Sequence, residues 1–435
     1  MNVGFVSLGC SKNLIDTEMC IGLFRKENFN IVSNSEEADI IVVNTCGFIE
    51  PAKQEAINTI LEMAELKKSG RCKYLIAMGC LVQRYKKDLE KALPEVDLFL
   101  SIDDYQNIWL KICELIGRKP DVSSQNTLEY EDRIISTGDK TAYLKIAEGC
   151  SNNCTYCAIP YIRGKYISRP FEEIIKEAKR LKKEGIEEVI VIAQDTTKYG
   201  MDLYQKARLP ELLKEIANLG FQWVRFLYAY PESITDELIE VVKNTDNICH
   251  YFDIPIQHYS NQVLKRMNRK SNSEQINLLI QKIRKEIPDC ILRTSLIVGF
   301  PGETEEDFFE LYEFVNQAKF EKLGVFQYSK EDGTPASRLK EQIHPKTKQK
   351  RLNRIMELEQ KISGIKLEEK IGNVYKVLID GISEDNQYYI GRSYMDIPNE
   401  DGVIYMPKEK DGLVGKFVKC RIEDVSGYDF IGKIL

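Results

Sequence analysis

Short apolar segments that alternate with helix-compatible segments are the feature of this chain that most restricts its fold. In the first 119 residues the apolar segments are residues 3–8, 39–44, 74–78 and 96–101, and a helix-compatible segment follows each of the first three. Pro51 opens one of these helical segments, at a position where proline suits the first turn. Strands that alternate with helices in this way predict an α/β domain with a parallel sheet.

A second series of strands and helices begins near residue 141. Its candidate strands are residues 143–147, 188–193, 223–228, 251–256, 291–298 and 323–328, and its candidate helices are residues 171–184, 209–219, 234–244, 273–286 and 304–318. Six units of this kind are fewer than the eight that close a TIM barrel. The pattern therefore predicts a curved, partly open barrel.

The remaining segments predict a linker and a third domain. Residues 121–140 are polar and lack periodicity, and a charged helix is expected near residues 345–370. Short strands with Gly or Asn turns follow at residues 374–380, 388–394, 402–406, 416–424 and 429–434. Five such strands predict a small antiparallel barrel of OB-like type. We divide the chain into residues 1–119, a linker at 120–140, and residues 141–368 and 369–435.

Composition and charge limit the class of protein. The 435 residues are 43% hydrophobic and 29% charged, without a run of about 18 apolar residues that would span a membrane. Residues 1–8 resemble a core strand more than a signal peptide, so we expect a cytoplasmic protein. The net charge of −6 and the pI of about 5.6 argue against a general nucleic-acid binder and fit a basic partner better.

Twelve cysteines and only three histidines make thiolates the expected metal ligands. Without a secretion signal the thiols are expected to be reduced, which favours metal ligation or catalysis over disulfides. Six of the cysteines share no position relative to the predicted strands and are interpreted as buried or incidental thiols: Cys20, Cys72, Cys113, Cys249, Cys290 and Cys420.

A C-x3-C-x2-C motif, formed by Cys150, Cys154 and Cys157, lies directly after a predicted strand. Three thiolates at this spacing can ligate three irons of a [4Fe–4S] cluster and leave the fourth iron open. An open iron can chelate S-adenosylmethionine, whose reductive cleavage gives a 5′-deoxyadenosyl radical. Active sites of strand–helix barrels also lie at the carboxyl ends of strands. The alternative is a structural zinc site, which normally needs four protein ligands.

Cys10, Cys46 and Cys80 each follow the carboxyl end of a predicted strand in the first domain. Open α/β sheets bind ligands at that edge, so the three thiolates are candidates for a second cluster with an open iron. Ordinary buried cysteines are the alternative, and spacing alone does not decide between the two.

With both cysteine triplets placed, the sequence closely resembles the methylthiotransferase family of radical S-adenosylmethionine enzymes over nearly the whole chain. The similar segments are SLGCSKNLIDTE at residues 7–18, NTCGFIEPAKQEAI at 44–57, GCSNNCTYCAIPYIRGKYISR at 149–169 and IVGFPGETEEDF at 297–308. The resemblance implies an N-terminal flavodoxin-like domain, a partial (β/α)6 barrel and a C-terminal TRAM β-barrel. It also implies two [4Fe–4S] clusters: an auxiliary cluster on Cys10, Cys46 and Cys80, and a radical cluster on Cys150, Cys154 and Cys157.

The reaction that this resemblance implies consumes two S-adenosylmethionine molecules. One methylates sulfur held at the auxiliary cluster. The other yields the deoxyadenosyl radical, which removes a hydrogen atom from the substrate carbon so that this carbon can take the methylthio group. Such an abstraction needs no general base. An electron donor such as flavodoxin or ferredoxin is expected, and the sulfur donor is left unassigned.

The family has a branch that modifies adenosine in transfer RNA and a branch that modifies an aspartate β-carbon of small-ribosomal-subunit protein S-twelve. The strings SLGCSKN at residues 7–13, AQDTTKYG at 193–200 and DIPIQH at 253–258 resemble the protein-modifying branch. Residues 370–435 carry nine Lys or Arg against eleven Asp or Glu, whereas a module that grips RNA should be basic. We expect protein S-twelve as substrate and no direct nucleic-acid binding. Transfer RNA is the alternative substrate, and a non-catalytic scaffold is a further alternative.

Five other residues are candidates for contact with S-adenosylmethionine: Tyr156, Gln194, Asp195, Gln257 and Arg293. Tyr156 lies between cluster ligands, where its backbone could meet adenine or its ring could pack at the barrel mouth. The Gln and Asp residues follow strands, so cofactor contact and helix capping both stay open. Arg293 could pair with the methionine carboxylate or with a structural acid.

Two arginines and one turn complete the candidates. Arg163 and Arg169 could meet the substrate, although exposed arginines are usually only solvated. Residues 298–304 lack the Lys-Ser/Thr pair of a phosphate-binding loop, so a strand-to-helix turn near adenine is the preferred interpretation.

Overall fold

The N-terminal part of the chain is a five-stranded parallel sheet with helices on both faces. The computed structural model describes residues 1–120 and 126–435, with the backbone alone at residue 69. The elements are β1 (Asn2–Ser7), α1 (Ser11–Lys26), β2 (Asn30–Val32), β3 (Ile40–Thr45), α2 (Glu50–Ser69), β4 (Tyr74–Gly79), α3 (Cys80–Ala92), β5 (Leu98–Leu100) and α4 (Ile108–Ile116). The strand order β2-β1-β3-β4-β5 is the flavodoxin-like order, which confirms that expectation.

The central strand β3 explains why the sequence signal was strong here. Ile41 and Val43 pack in one apolar cluster with α2 and α3, whereas Ile40 and Val42 pack in a second cluster with α1 and α4. A strand covered on both faces is apolar along its whole length instead of alternating. The sequence prediction omitted β2, whose three half-exposed edge residues are too few to form a pattern.

The central part contains six parallel strands and one short antiparallel pair. Its strands are β6 (Thr141–Lys145), β7 (Ala147–Glu148), β8 (Ile167–Ser168), β9 (Glu188–Ile192), β10 (Trp223–Phe226), β11 (Tyr251–Asp253), β12 (Ile291–Val298) and β13 (Lys322–Gln327). They form the sheets β10-β9-β6 and β11-β12-β13, joined by an isolated bridge between Val224 and Ile248. Because β6 and β13 do not pair in the described part of the chain, the predicted partly open barrel is confirmed.

Nine helices accompany the barrel strands in the described part of the chain; six of them were predicted from the sequence, and the three that are only four to six residues long were not. The nine are α5 (Ile159–Ile162), α6 (Phe171–Lys183), α7 (Met201–Tyr204), α8 (Leu209–Ala217), α9 (Asp236–Asn244), α10 (Asn261–Arg266), α11 (Ser273–Glu286), α12 (Glu305–Ala318) and α13 (Pro345–Glu368). The apolar faces of α6, α8, α9, α11, α12 and α13 pack with the strands in the largest hydrophobic cluster. Within residues 1–120 and 126–435, no helix combines the length and apolar character needed to cross a membrane.

The C-terminal part is a closed barrel of five strands. They are β14 (Val374–Ile382), β15 (Tyr388–Arg392), β16 (Ile404–Pro407), β17 (Phe417–Ser426) and β18 (Asp429–Ile434). Four of the five pairings are antiparallel, but β16 and β18 pair in parallel, with Ile404 opposite Phe430. The expected antiparallel barrel therefore needs a correction at this one closure, where β17 intervenes in sequence between two strands that run in the same direction.

One apolar cluster joins all three parts of the chain. It contains Ile15 and Met19 of α1, Ile190 of β9, and Val377 and Tyr389 of the C-terminal barrel. An open barrel exposes apolar side chains that a closed one would cover, and here the other two parts supply the cover. The three parts are thus packed on one another, which fixes the position of the N-terminal sheet relative to the barrel.

The predicted linker is tightly held where it is described, while residues 121–125 lie outside the described part. Arg133 is 2% exposed, and its guanidinium lies 3.2 Å from Glu18 of α1 and 3.0 Å from Glu177 of α6. Its Nη2 also donates to the Tyr143 carbonyl at 2.7 Å. This segment therefore bridges the N-terminal sheet and the barrel through buried charges.

Replacing Arg133 by Met should lower the free energy of unfolding by roughly 3 kcal/mol, because it leaves buried carboxylates without their cation. Burial already raises the pKa of Glu18, and Arg133 opposes that rise. Calorimetric melting of the variant measures the effect. Arg25→Met is the control, since Arg25 is exposed and should change stability by less than about 0.5 kcal/mol. Equal melting of both variants would contradict this account of the linker.

Candidate active site

Cys10, Cys46 and Cys80 meet at the carboxyl edge of the N-terminal sheet. Cys10 caps the start of α1 just after β1, Cys46 directly follows β3, and Cys80 is the first residue of α3 after β4. β1, β3 and β4 are adjacent strands, so the loops that carry the cysteines are neighbours. All three are free thiols, with Cys10 exposed and Cys80 buried.

Glycines beside these cysteines allow the loops to pack against one another. A Cβ on Gly9 would lie 2.7 Å from Cys46 Cβ and 3.0 Å from its Sγ. A Cβ on Gly47 would lie 2.6 Å from Leu81 Cα, immediately after Cys80. Real Cβ atoms do not approach other atoms so closely, so only glycine lets the three cysteine loops converge at this edge.

Asn13, which the sequence analysis did not single out, ties the three loops together. Its Nδ2 donates to the carbonyls of Leu8 at 3.1 Å and Thr45 at 2.9 Å. Its Oδ1 accepts from Cys80 Sγ at 3.2 Å and from Arg163 at 2.5 Å. A position on the first turn of α1, three residues after Cys10, is the sequence signal that would have identified it.

Burial makes two thiols of this site, Cys46 and Cys80, harder to ionise. Burial raises the pKa of Cys46, and burial raises the pKa of Cys80 to about 12 while the nearby Arg163 works in the opposite direction. Metal ligation requires thiolates, so a positive group beside Cys80 favours the ligating form.

The second cysteine triplet lies on one loop between β7 and α5. Cys150 and Cys154 are each 6% exposed, and Cys157 is half-buried. The Cys157 amide donates to the Cys154 carbonyl at 3.1 Å, and the Ile159 amide donates to Cys157 Sγ at 3.4 Å. The placement after a strand at the barrel mouth matches the sequence prediction.

Gly149 makes this loop possible. Its φ is 74°, and a Cβ on it would lie 2.1 Å from the Lys165 carbonyl oxygen. Gly164, in the facing turn, has a similar φ of 76°, but a Cβ on it would have no neighbouring atom within 4 Å. An alanine at Gly164 would therefore cost only the strain of a positive φ, whereas an alanine at Gly149 would add a steric clash.

On the cluster sites that the sequence predicts, Gly149→Ala should prevent the Cys150 loop from taking up iron on reconstitution while Cys10, Cys46 and Cys80 still bind theirs. The clash with Lys165 forces the loop to move, whereas Gly164→Ala costs only the strain of its positive φ, roughly 1–3 kcal/mol. Iron and sulfide analysis of both purified variants is the measurement. Full iron content in Gly149→Ala would contradict the proposed role of this close approach.

Groups from distant parts of the barrel hold the cysteine loop in place. The Thr155 amide donates to the Met267 carbonyl at 3.1 Å. Arg269 lies with Nη1 4.0 Å from Cys154 Sγ and with its guanidinium 4.3 Å from the centre of the Tyr230 ring. Nε of Arg269 is buried and has no hydrogen-bond partner among the described residues, so a donor is free at this mouth.

Asp195 contacts the cysteine loop directly, and Gln194 contacts the end of β7 just before that loop. Asp195 is fully buried, accepts from Asn152 Nδ2 at 2.8 Å and accepts from the Thr197 amide at 3.1 Å. Asp195 thus supports the loop and also caps a short 3₁₀ turn, as the helix-capping alternative for this residue predicts. Gln194 Nε2 donates to Glu148 at 2.9 Å, and its Oε1 is buried and unpaired in the described part of the chain.

Gln257 and Tyr156 lie at the same mouth through other contacts. Gln257 has a φ of 71°, and its backbone is bonded to Ser295 and Ile297 of β12 at 2.9 and 2.7 Å. Tyr156 packs against the apolar cluster that includes Phe300, a residue of the turn at 298–304. The packing alternative for the Tyr156 ring is therefore observed, and through it the turn packs against the cysteine loop, while the position of this turn near adenine stays a prediction.

The Arg293 guanidinium lies close to three carboxylates. Its guanidinium lies 3.2 Å from Asp253, 2.6 Å from Glu400 and 3.8 Å from Asp401. Two of these carboxylates come from the turn that precedes β16 in the C-terminal barrel. The contacts of Arg293 are those of the structural alternative.

Arg163 and Arg169 are not exposed, and the expectation of solvated arginines is wrong for both. Arg169 pairs with Glu177 at 2.7 Å and lies over the Tyr130 ring at 3.5 Å. The Arg163 side chain is 2% exposed, and its Nη1 lies 2.6 Å from Asp16 of the N-terminal sheet domain. Sequence spacing could not show this, because Asp16 is 147 residues away.

A network of four buried or half-buried charges connects the two cysteine sites. Lys145 Nζ lies 2.8 Å from both Asp16 and Glu148, and Arg163 Nη1 lies 2.6 Å from Asp16 and 3.3 Å from Glu148. Burial favours the neutral acid, but Lys145 and Arg163 outweigh it and hold the pKa of Glu148 well below its usual range. The network carries two cations and two anions, so its charges balance.

The two sites also share an apolar contact. Cys80, Ala158 and Ile162 form one small buried cluster, with Ile102 packed against it. Ala158 directly follows Cys157, so a residue next to the second triplet shares a buried cluster with a member of the first. The fold therefore brings the two triplets, from different domains, to adjoining positions.

The donor sets fit iron–sulfur clusters. Each site offers three free thiols, and unpaired buried polar atoms of Gln194 and Arg269 lie at the mouth beside Cys154 and Glu148. Among the described residues, no three Cys, His, Asp or Glu side chains converge on a single-ion site. A [4Fe–4S] cube takes one thiolate at each of three irons and does not require such convergence.

Comparison with known proteins defines the class first. Residues 144–315 match the radical SAM superfamily, residues 2–101 match the uncharacterized protein family UPF0004, and residues 371–435 match the TRAM domain. The radical S-adenosylmethionine methyltransferase TsrM from Kitasatospora setae, with cobalamin and a [4Fe-4S] cluster bound, has a TM-score of 0.56 at 12% identity, covering 77% of this chain and 73% of that chain. The cobalamin-dependent radical enzyme OxsB has a TM-score of 0.52 at 15% identity, covering 83% and 56%. The fold is that of a radical SAM enzyme.

Full-length relatives narrow the class to one family. The ribosomal protein uS12 methylthiotransferase RimO of Alkaliphilus oremlandii is 62% identical, covering 100% of this chain and 99% of that protein. The protein of the same name from Clostridioides difficile is 52% identical, covering 100% and 99%. The chain belongs to the family of ribosomal protein uS12 methylthiotransferases, which confirms the resemblance found in the sequence.

Proposed function

We propose that the chain inserts a methylthio group at the β-carbon of an aspartate in ribosomal protein uS12, the protein S-twelve of the small subunit. The observation that carries this function is the adjoining position of two three-cysteine sites: Cys80 shares a buried cluster with Ala158, the residue after Cys157, and Arg163 Nη2 lies 3.3 Å from Cys80 Sγ. A radical made at one site and a sulfur group held at the other must reach the same substrate carbon. Adjoining sites meet that requirement, whereas a single cluster site would supply the radical alone.

Each triplet is assigned to one of two [4Fe–4S] clusters. The auxiliary cluster takes Cys10, Cys46 and Cys80, and the radical cluster takes Cys150, Cys154 and Cys157. When bound, the clusters and S-adenosylmethionine supply the deoxyadenosyl radical and the methylthio group. The protein's own part is to hold the thiols on converging loops, to place them at a mouth bounded by the barrel and the N-terminal sheet, and to balance the charge there.

The S-adenosylmethionine site is assigned to the mouth beside Cys154. Gln194 Oε1 offers a buried acceptor and Arg269 Nε a buried donor, both unpaired among the described residues. Asp195 keeps Asn152 in place between two cluster ligands. Tyr156 offers its backbone next to the same loop, and Gln257 offers its side-chain amide, because its own backbone N–H and C=O are bonded to Ser295 and Ile297 of β12.

The C-terminal barrel favours a protein substrate. It holds nine Lys or Arg and eleven Asp or Glu over residues 370–435, a balance of −2. Phosphate contacts dominate affinity for RNA and call for a clearly basic surface. A ribosomal protein is rich in Lys and Arg, so the slightly acidic barrel suits it better, and transfer RNA stays the alternative.

The setting and partners follow from this function. The enzyme acts in the cytoplasm, where ribosomal proteins are made, and receives electrons from a flavodoxin or ferredoxin. Its working division is residues 1–119 for the auxiliary cluster, 120–140 as linker, 141–368 for the radical cluster and 369–435 as the TRAM domain. Support for that division comes from the separate matches over residues 2–101, 144–315 and 371–435.

The test compares the two substrates directly. The reconstituted enzyme is given S-adenosylmethionine and a reductant, with either purified uS12 or transfer RNA, and each product is examined for a methylthio group. Modification of uS12 alone supports the proposal. Modification of transfer RNA alone would replace it by the alternative, and deoxyadenosine formation without either product would reject both substrates.

A further inference from the structure

Arg163 connects the two cysteine sites at the level of single atoms. It follows α5, six residues after Cys157, yet its side chain enters the N-terminal domain. Nη2 lies 3.3 Å from Cys80 Sγ and 2.5 Å from Asn13 Oδ1. The guanidinium side chain is 2% exposed, so water does not compete for these contacts.

Arg163, unlike Asn13, can donate a hydrogen bond to a thiolate at Cys80. Asn13 contacts Cys80 through its acceptor oxygen, because its Nδ2 is committed to the carbonyls of Leu8 and Thr45. An acceptor oxygen can receive the proton of a thiol, but it offers nothing to a thiolate. Once Cys80 ligates iron, the second N–H of Arg163 Nη2 is therefore the donor that faces its sulfur.

Ion pairs within the four-charge network fix the position of the charged Arg163 guanidinium. Nη1 pairs with Asp16 and Glu148, which fixes the plane of the guanidinium so that Nη2 points to the sulfur. A fixed cationic hydrogen bond to a ligating sulfur stabilises the reduced, more negative cluster, and hydrogen bonds to cluster sulfurs are a known determinant of reduction potential.

We infer that Arg163 is a positioning residue that raises the reduction potential of the auxiliary cluster through its hydrogen bond to Cys80. This inference rests on the proposed assignment of Cys10, Cys46 and Cys80 to that cluster. It means that the domain that generates the radical also sets the redox state of the cluster that holds the sulfur group. A displacement of the Cys150 loop would then move the Arg163 side chain and change its hydrogen bond to Cys80.

The test uses the full-length chain with Cys150, Cys154 and Cys157 changed to Ala, so that only the auxiliary cluster is present. Redox titration monitored by electron paramagnetic resonance gives its midpoint potential. Arg163→Met in this background should make reduction about tenfold less favourable, a shift of about 59 mV to more negative potential for one electron. Arg163→Lys keeps the charge near Asp16 but lacks the second nitrogen, and should shift the potential in the same direction by less.

Two controls keep the result specific. Arg169→Met removes another buried arginine of the same segment, one without a cysteine contact among the described residues, and the midpoint potential of this variant should equal that of the parent. If Arg163→Met does not fold, Arg163→Met with Asp16→Asn leaves Lys145 and Glu148 as a balanced pair, and Asp16→Asn alone is its reference.

Each outcome tests either the inference about Arg163 or the cluster assignment on which it rests. An unchanged potential in iron-replete Arg163→Met or in the double variant would overturn the inference while leaving the cluster assignment intact. A parent triple-alanine chain that binds no iron would overturn the assignment of Cys10, Cys46 and Cys80, and the inference with it. Equal shifts in Arg163→Met and Arg169→Met would show a general charge effect and also overturn it.

Discussion

Changing Cys150, Cys154 and Cys157 together to Ala should reduce cleavage of S-adenosylmethionine to the level seen without enzyme. These three residues are the only thiols on the loop between β7 and α5, so the proposed radical cluster would lose all the ligands assigned to it. Deoxyadenosine formed under reducing conditions is the quantity to measure. The loss should be complete because the cluster is the sole source of the electron that breaks the sulfonium bond.

A buried cysteine away from both sites provides the matched control. Cys249 lies in the apolar cluster shared with the C-terminal barrel, and burial raises its pKa to about 11, so it stays a protonated, unreactive thiol. Cys249→Ala should cleave S-adenosylmethionine at nearly the parent rate. Deoxyadenosine formation that persists in the triple variant would refute the assignment of the radical cluster.

The complementary change, Cys10, Cys46 and Cys80 together to Ala, should abolish methylthio transfer and spare the cleavage of S-adenosylmethionine. The three residues lie at the carboxyl edge of the N-terminal sheet, whereas the Cys150 loop is held by barrel residues such as Met267, whose carbonyl accepts from the Thr155 amide. Cleavage should therefore stay within a few-fold of the parent, while product on uS12 falls to background. Both quantities come from one reaction mixture.

This second variant separates cooperation of the clusters from a shared structural role. Iron analysis should show that the variant has lost one cluster and kept the other. Methylthio transfer that continues without Cys10, Cys46 and Cys80 would refute their role as ligands. Loss of cleavage despite an intact radical cluster would instead show that the N-terminal site is needed for radical formation itself.

The cysteine positions were predictable because they depend on local patterns. Each apolar run that became β1, β3 or β4 ends just before Cys10, Cys46 or Cys80, and parallel strands place such ends at one edge. The Cys150 loop was equally clear, since its spacing is short and its strand is adjacent in sequence. In these cases the residues that define the feature are near one another along the chain.

The charged residues around the sites were not predictable for the opposite reason. Arg163 looked like a surface residue because its partners Asp16, Asn13 and Cys80 lie in another domain, 83 to 150 residues away. Arg269 contacts Cys154 from 115 residues away. A single sequence carries no sign of such pairings, because no local spacing encodes them.

Topology set the same limit in the C-terminal barrel. Five short strands with turns between them suggested antiparallel neighbours throughout, but closure brings β16 next to β18 in parallel. The turn before β16 also carries Glu400 to Arg293 of the central barrel. Both features depend on how the barrel closes and docks, which strand patterns alone do not specify.

Mass spectrometry of uS12 after reaction with the reconstituted enzyme tests the central claim most directly. With S-adenosylmethionine that carries a deuterated methyl group, one aspartate of uS12 should gain a methylthio group in place of a hydrogen, and the added group should carry the deuterium. The gain should vanish when either cysteine triplet is replaced by Ala. Unmodified uS12 in a reaction that forms deoxyadenosine, or modification that survives the loss of either triplet, would contradict the account.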